Sequence, residues 1–554
     1  MSFSALDRHQ HIQNLQEQSF DLAIIGGGIN GAGIARDAAS RGLKVALVEA
    51  KDYAIGTSSR SSKLIHGGIR YLENLEFSLV FEALAERAHL FEMAPHLVHP
   101  LRFVIPVYQS SRVGFWKMAA GMWLYDLLAL FETPKMHERH SPEDLKEIMP
   151  ILDRRELVGA LEYSDAYMDD DRLVIETLRD AVRMGAQSAN YCQVIGANRQ
   201  GNIIQSLQVR DELSGKTFSL KARQFIGSLG PWTDIVGAQL DPEWKPKLRP
   251  TKGVHLIFPK ERLPLDRAVV MAVEKRIIFV IPRHEMVIVG TTDTDYNKNP
   301  YDVSVDWKDV EYLLSSLNHY FPKLNLKVDD IVASYSGVRP LVNDGSDTEG
   351  KTSREHSLFS DGDNLSFIAG GKYTTYRLMA EQAVDFVLAK MPFDYRMKFS
   401  RSNTQGPIND QVSVIEYQRT KDQIKDLSES FGFSPSIVEN LVDRHGGEAI
   451  QLLQLMSEKF HQGQEDEAMW MAEAHFAIEE TCCLALKDFY WRRTPLFLSN
   501  KNHGLKYLDG IAAVFAKMLK WDAQEVDRQK KELLSEINKE MAWKFTYEDS
   551  SEQT

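Results

Sequence analysis

Five glycine-bearing segments in this chain carry residue types suited to handling a phosphate-rich group. Gly26, Gly28 and Gly31 stand at the spacing G-x-G-x-x-G, and Glu49 follows 18 residues after Gly31. Gly26 permits a tight turn, Gly28 lets the backbone approach a pyrophosphate, and Gly31 lets a helix pack closely on a strand. Glu49 is placed to bond a ribose hydroxyl. A polar loop comes next, with Thr57, Ser58, Ser59, Ser61, Ser62 and Lys63, side chains able to bond phosphate and ring edges. Gly230 lies in SLGPW. Gly370-Gly371-Lys372 opens a late segment that contains Thr374. Arg70 in HGGIRYL and Arg339 in SGVRPL each follow a glycine-containing turn, and arginine forks suit anions.

The fingerprint has meaning only on the right elements. Residues 20–49 read FDLAIIGGGINGAGIARDAASRGLKVALVE: an apolar strand at 22–25, the glycines, an amphipathic helix, and a second strand at 44–48 ending on the acid. This is a dinucleotide-binding βαβ unit, with the phosphates expected at the helix N-terminus, where unpaired N–H groups and the helix dipole favour anions. The pattern predicts a helix through about residue 94, a strand at 97–108, a helix at 171–184, and strands at 188–197 and 203–209. Residues 249–345 hold many short β-runs, which read as an antiparallel substrate sheet. Residues 364–391 give strand, glycine turn and helix again, so the cofactor domain is discontinuous, with the sheet inserted. A simple NAD enzyme needs only the first unit and its partner. The second glycine turn at 370–372 favours FAD, although such a turn is also an ordinary bend before a helix. The fold class expected is α/β, α+β overall: a dinucleotide-binding FAD domain with interleaved sheet over 1–399, then an all-α domain with a charged, mobile tail over 400–554.

Composition narrows the rest. Net charge is -13, which argues against a nucleic-acid binder working through bulk charge. There are three cysteines and no CxxC, too few for a disulfide framework, which favours a reducing compartment. Residues 1–19 lack the parts of a secretion signal, and no uncharged run is long enough to span a bilayer. Residues 112–131, RVGFWKMAAGMWLYDLLALF, are apolar around nearly the whole helical circumference. Such a helix is either buried in a core or embedded in a lipid surface as a monotopic anchor. Asp169-Asp170-Asp171 read as acids at a helix N-terminus rather than a metal site, since no oxygen-ligand loop surrounds them. No metal is expected.

Several separated blocks together resemble the FAD-dependent, respiratory glycerol-3-phosphate dehydrogenases of bacterial type. They are IIGGGINGAGIARDAASRG (24–42), TSSRSSKLIHGGIRYLE (57–73), EALAER (82–87), EYSDAYMDDDRLV (162–174), RIIFVIP (276–282), GTTDTDY (290–296), YSGVRPL (335–341), GGKYTTYR (370–377) and WRRT (491–494). One motif departs: the family shows A-T-G-P-W where this chain has Ser228-Leu229-Gly230-Pro231-Trp232. The resemblance implies oxidation of sn-glycerol 3-phosphate to dihydroxyacetone phosphate, with hydride passing from C2 to flavin N5 and electrons leaving to a membrane quinone. It also implies that Arg70 and Arg339 hold the substrate phosphate. Tyr71 and Lys372 are then candidate substrate contacts, Lys372 also a charge stabiliser. His66 and His255 are candidate bases, because imidazole titrates near neutral pH, while either is equally an ordinary turn or core histidine. The expected setting is the inner face of the cell membrane, with a homodimer allowed and no nucleic-acid partner. Rivals are an oxidase that gives electrons to oxygen and makes peroxide, an amino-acid or amine oxidase of the same fold, and a flavin-containing RNA-binding or assembly protein.

Overall fold

The structure is a computed structural model. It describes the chain except residues 1, 75, 131–132, 274–275, 344–354, 462, 500, 546 and 548–554, and the side chains of residues 70, 73 and 74.

The first strand, Ser19–Ile25, is buried along almost its whole length, as its unbroken apolar run requires. It lies at the centre of a parallel sheet between Thr217–Gly227 and Val45–Val48. Leu365–Gly370 and Gln187–Ala189 extend the sheet in parallel on either side, and His356–Ser360 closes one edge in antiparallel. Helices Ile29–Ser40, Asp170–Arg183 and Tyr376–Ala389 share one core with this sheet. The first of these is rich in glycine and alanine, so it packs tightly: a Cβ at Gly31 would lie 2.0 Å from the Gly26 carbonyl oxygen. On the other face sit helix Arg8–Glu17 and the hairpin Cys192–Gln200/Ile203–Asp211.

The second sheet has ten strands and is wider than the 249–345 range read from the sequence. Besides Leu248–Pro259, Ala268–Val273, Arg276–Arg283, Met286–Gly290, Thr294–Asp295 and Ala333–Val342, it recruits Val98–Tyr108, Leu157–Met168, Leu64–Ile65 and Glu138–His140. It is antiparallel except where Ala268–Val273 pairs in parallel with Val98–Tyr108. The strand at 97–108 was expected; its partner sheet was not, because periodicity reports a strand and not its neighbour.

Between Val414 and Glu540 the described residues form helices joined by short connections, with no strand among them. The joint before it is packed, not loose. Arg36 Nη1 donates to the Thr404 carbonyl at 2.7 Å and Nη2 to the Gly406 carbonyl at 3.0 Å, and Ile408 is buried. The WRRT segment fastens the helical domain to the cofactor domain. Arg492 and Arg493 reach Asp52 at 2.7 and 2.9 Å. Burial alone would raise the Asp52 carboxyl, yet Arg493 and Arg492 hold it at about 2.

Candidate active site

One cavity of about 480 Å³ runs between the two sheets. At one end its walls are Gly26, Gly28, Glu49 and Cys192–Val194; at the other they are Ser62, His66, Tyr71, His255, Arg339 and Lys372. Gly230, Thr57, Ser58, Gly370, Gly371 and Thr374 also line it.

The cradle end fits a dinucleotide on its own chemistry. Gly26 has φ +109°, which favours glycine, and a Cβ there would meet the Ser228 carbonyl oxygen at 2.3 Å. A Cβ at Gly28 would meet the Ser58 hydroxyl at 3.1 Å, so a bare backbone faces the cavity. The Ile29 N–H, at the start of the helix, donates to Ser58 Oγ at 3.0 Å, a hydroxyl where a phosphate oxygen would accept. Glu49 accepts from the Gly27 N–H at 2.7 Å and the Lys51 N–H at 2.9 Å. Burial raises its pKa, and those two donors partly offset the rise. Each carboxylate oxygen keeps a second lone pair for a hydroxyl.

The opposite end is built by two antiparallel neighbours, Leu248–Pro259 and Ala333–Val342. His255 faces Tyr335, Gly253 faces Gly337, and Thr251 faces Arg339. Alternate residues share a face, so the glycine pair leaves a gap between His255 and Arg339. The gap is needed: a Cβ at Gly253 would lie 2.5 Å from Arg339 Nη2. Arg339 donates to Asp293 Oδ1 at 3.0 Å and Thr291 Oγ1 at 2.8 Å. His255 shares a hydrogen bond with Ser62 Oγ through Nε2 at 2.9 Å and stacks on Tyr335 at 4.8 Å. Burial, helped by the positive charges of Arg339 and Lys63, pushes the His255 pKa well below 6.5, so its ring is neutral. Lys372 Nζ lies 3.7 Å from the centre of the Tyr71 ring.

His66 sits in a turn held at both backbone ends. Its N–H donates to Thr374 Oγ1 at 3.2 Å, and the Thr374 hydroxyl donates to its carbonyl at 3.3 Å. The Gly67 N–H donates to Tyr125 Oη at 3.0 Å, and Tyr125 in turn donates to Asp165 at 2.8 Å. Arg70 lies in the next turn, Ile69–Asn74, and its side chain lies outside the described residues.

Three expected cofactor residues stand elsewhere. Gly31 packs beneath the cradle, as above. Ser59 does not line the cavity. Lys63 does not line the cavity: its ammonium is buried on Asp170, with Asp171 at 3.6 Å, where one charge neutralises another. Asp169–Asp171 stand at the N-terminus of their helix, as expected. Asp170 and Asp171 do occupy the first turn of their helix, but Asp169 makes no side-chain cap. It pairs with Arg283 at 2.5 Å instead. Sequence reasoning passed over Ser62 as the partner of His255, and also Trp232 and Tyr301, whose rings meet at a tilt, 4.5 Å apart, along the wall. The even spacing of His255, Gly253 and Thr251 on one strand was the available signal.

Helix Phe115–Leu128 is neither fully buried nor fully exposed. Met122 and Tyr125 are buried, while Trp116 is 74% exposed, Trp123 52%, Leu127 53% and Leu130 63%. Spaced at i, i+7 and i+11, Trp116, Trp123 and Leu127 form one apolar stripe, and Leu130 follows just past the helix end. No helix among the described residues is long and apolar enough to cross a membrane.

Comparison with known proteins agrees with this geometry. The model of the FAD dependent oxidoreductase family matches residues 21–377, and that of the C-terminal domain of alpha-glycerophosphate oxidase matches 413–526. The chain is 33% identical over 539 residues to the aerobic glycerol-3-phosphate dehydrogenase of Staphylococcus saprophyticus, covering 96% of this chain and 97% of that one. It is 32% identical over 543 residues to the Staphylococcus aureus enzyme of the same name. The crystal structure of glycerol-3-phosphate dehydrogenase from Bacillus halodurans complexed with FAD superposes with a TM-score of 0.79 at 28% identity, covering 97% of this chain and 98% of that one.

Proposed function

The chain belongs to the family of FAD-dependent oxidoreductases, and we propose that it oxidises sn-glycerol 3-phosphate to dihydroxyacetone phosphate and passes the electrons to a membrane quinone. The observation that carries the reading is the single cavity with a dinucleotide cradle at one end and Arg339, His255 and Lys372 at the other. FAD is the cofactor, and when bound it supplies the acceptor for the two electrons and the hydrogen leaving C2. Gly26, Gly28, Glu49, Ser58 and Gly230 are the residues that would hold its phosphates and ribose.

The chain's own groups do the rest. Arg339, presented over the Gly253–Gly337 gap, grips the phosphate together with Arg70, and a fork suits that dianion. Asp293 keeps the Arg339 fork oriented. His255 is neutral and held by Ser62 and Tyr335, so it has a lone pair to accept the hydroxyl proton. Lys372, over the Tyr71 ring, places positive charge where the substrate oxygens would lie. Electrostatic preorganisation of this kind is effective because the groups are already fixed.

The quinone part rests on the apolar stripe of helix Phe115–Leu128, flanked by Arg112 and Lys117. Aromatic and basic residues together suit the headgroup region, so the enzyme docks as a peripheral protein. All three cysteines are free and buried, which fits the reducing inner face of the cell membrane. Oxygen as acceptor is the rival outcome. The test is turnover with glycerol 3-phosphate in quinone-loaded liposomes beside turnover in air, with peroxide counted. Quinone-linked turnover well above peroxide formation supports the proposal. Full-rate stoichiometric peroxide, with no gain from quinone, rejects it.

A further inference from the structure

Helix Ala523–Glu540 ends against the wall of the cofactor cavity instead of among the helices of its own domain. Consecutive residues reach two different parts of that wall. Lys539 Nζ donates to the Tyr301 carbonyl at 2.6 Å, and the Glu540 carboxylate is ion-paired with the Arg60 guanidinium. Tyr301 and Arg60 both line the cavity. Just beyond, the Ser334 hydroxyl donates to the Glu540 carbonyl at 2.6 Å, and Trp543 Nε1 donates to Ser334 Oγ at 2.8 Å. Trp543 is 1% exposed and stacks toward Trp307, which also meets Tyr547 at 4.6 Å.

These contacts converge on the polar loop Thr57–Ser62. Thr57 Oγ1 donates to the Val338 carbonyl at 2.6 Å, and Tyr335 Oη donates to the Ser61 carbonyl at 2.8 Å. Arg60 rides directly over Gly337, where a Cβ would come within 2.6 Å of the Arg60 Cβ. The loop is thus pressed on strand Ala333–Val342 from one side, and Glu540 grips both Arg60 and that strand from the other. Glu540 and Arg60 are mostly buried, so their attraction is little screened by solvent. Residues 539–547 lie beyond both matched family segments, 21–377 and 413–526.

We propose that Lys539 and Glu540 are positioning residues that clamp the Arg60 and Tyr301 walls of the cofactor cavity together, so that FAD leaves only when the C-terminal helix end lifts. The proposal rests on the reading of this cavity as the FAD site. Tyr301 packs at a tilt against Trp232, two residues from Gly230, so loss of the Lys539 contact frees one wall and loss of the Glu540 contact frees the other.

The test is the rate of FAD release from holoenzyme, followed by the gain in flavin fluorescence, for wild type, Glu540→Gln, Arg60→Gln, their double variant and Lys539→Met. The melting temperature of each apoprotein and holoprotein is measured alongside. A clamp raises the release rate at least tenfold in Glu540→Gln. It raises it no further in the double variant, and it lowers the holoprotein melting point more than that of the apoprotein, because ligand linkage weakens. Lys539→Met keeps the carboxylate and should speed release by a smaller factor, which covers the case in which Glu540→Gln does not fold. Release within twofold of wild type in the folded variants overturns the clamp while leaving the FAD site intact. So does an equal melting loss with and without FAD. A wild type that binds no FAD overturns the reading of the cavity itself.

Discussion

Replacing Trp116, Trp123 and Leu127 with serine should detach the protein from membranes without disturbing its chemistry. The three side chains are exposed by 74%, 52% and 53%. A tryptophan buries up to about 250 Å², so the two indoles offer on the order of 300 Å² of surface to a lipid phase. At about 25 cal/mol per Å² that is roughly 8 kcal/mol, and half of a leucine adds about 1 kcal/mol. Only part is realised, because a helix lying on a surface inserts one side and loses freedom on docking. If a third of it counts, the variant loses about 3 kcal/mol, or on the order of 100-fold in vesicle partitioning. The buried side of the helix is untouched, so Tyr125 still supports the turn after His66 through Gly67. The assay pairs liposome pelleting with turnover using ubiquinone in the liposomes and using a soluble dye, with flavin content as the control for folding. Pelleting and quinone turnover should collapse while dye turnover stays. Unchanged pelleting in the folded variant would refute the stripe as the docking surface. Loss of dye turnover with full flavin content would show that the helix serves the catalytic site and not the membrane.

Arg339→Ala removes a charge-assisted grip and should cost about 2–5 kcal/mol in kcat/KM for glycerol 3-phosphate, with a much smaller loss for glycerol; equal losses would place Arg339 in folding or flavin binding. Gly337→Ala drives a methyl into Arg60 and should cost about 1–3 kcal/mol of stability, seen as a lower melting point and weaker FAD retention; a wild-type melting point would contradict the contact. Burial holds the His255 pKa well below 6.5, so the base form persists as pH falls, and kcat/KM should show no loss from His255 protonation near neutral pH; an inflection near or above pH 6.5 that vanishes in His255→Gln would contradict this. FAD should be released into the supernatant by acid precipitation; colour kept in the pellet would show a covalent link.

The cofactor half of the site was legible because every signal there is local. Strand, glycines, helix and Glu49 lie within 30 residues, and each has a backbone or steric reason for its position. The substrate half was legible as a set of residue types but not as a geometry. His66 and His255 read alike in sequence; only the pairing of Leu248–Pro259 with Ala333–Val342 puts His255 across a glycine gap from Arg339. The burial of Lys63 was not legible, because its partner, Asp170, is 107 residues away, and a polar loop gives no hint of which cation will be buried. The helix at 115–128 is apolar on all sides, so the choice between core and lipid depended on what packs against it, which is tertiary information. Likewise nothing local marks Lys539 and Glu540, and their reach to Tyr301 and Arg60 exists only once the helical domain has docked.

Anaerobic titration of the purified protein with sn-glycerol 3-phosphate tests the central claim most directly. The account predicts that the absorbance of oxidised flavin bleaches in proportion to added substrate, that dihydroxyacetone phosphate appears in equal amount, and that glycerol at the same concentration does neither. A flavin that stays yellow in excess glycerol 3-phosphate would contradict it.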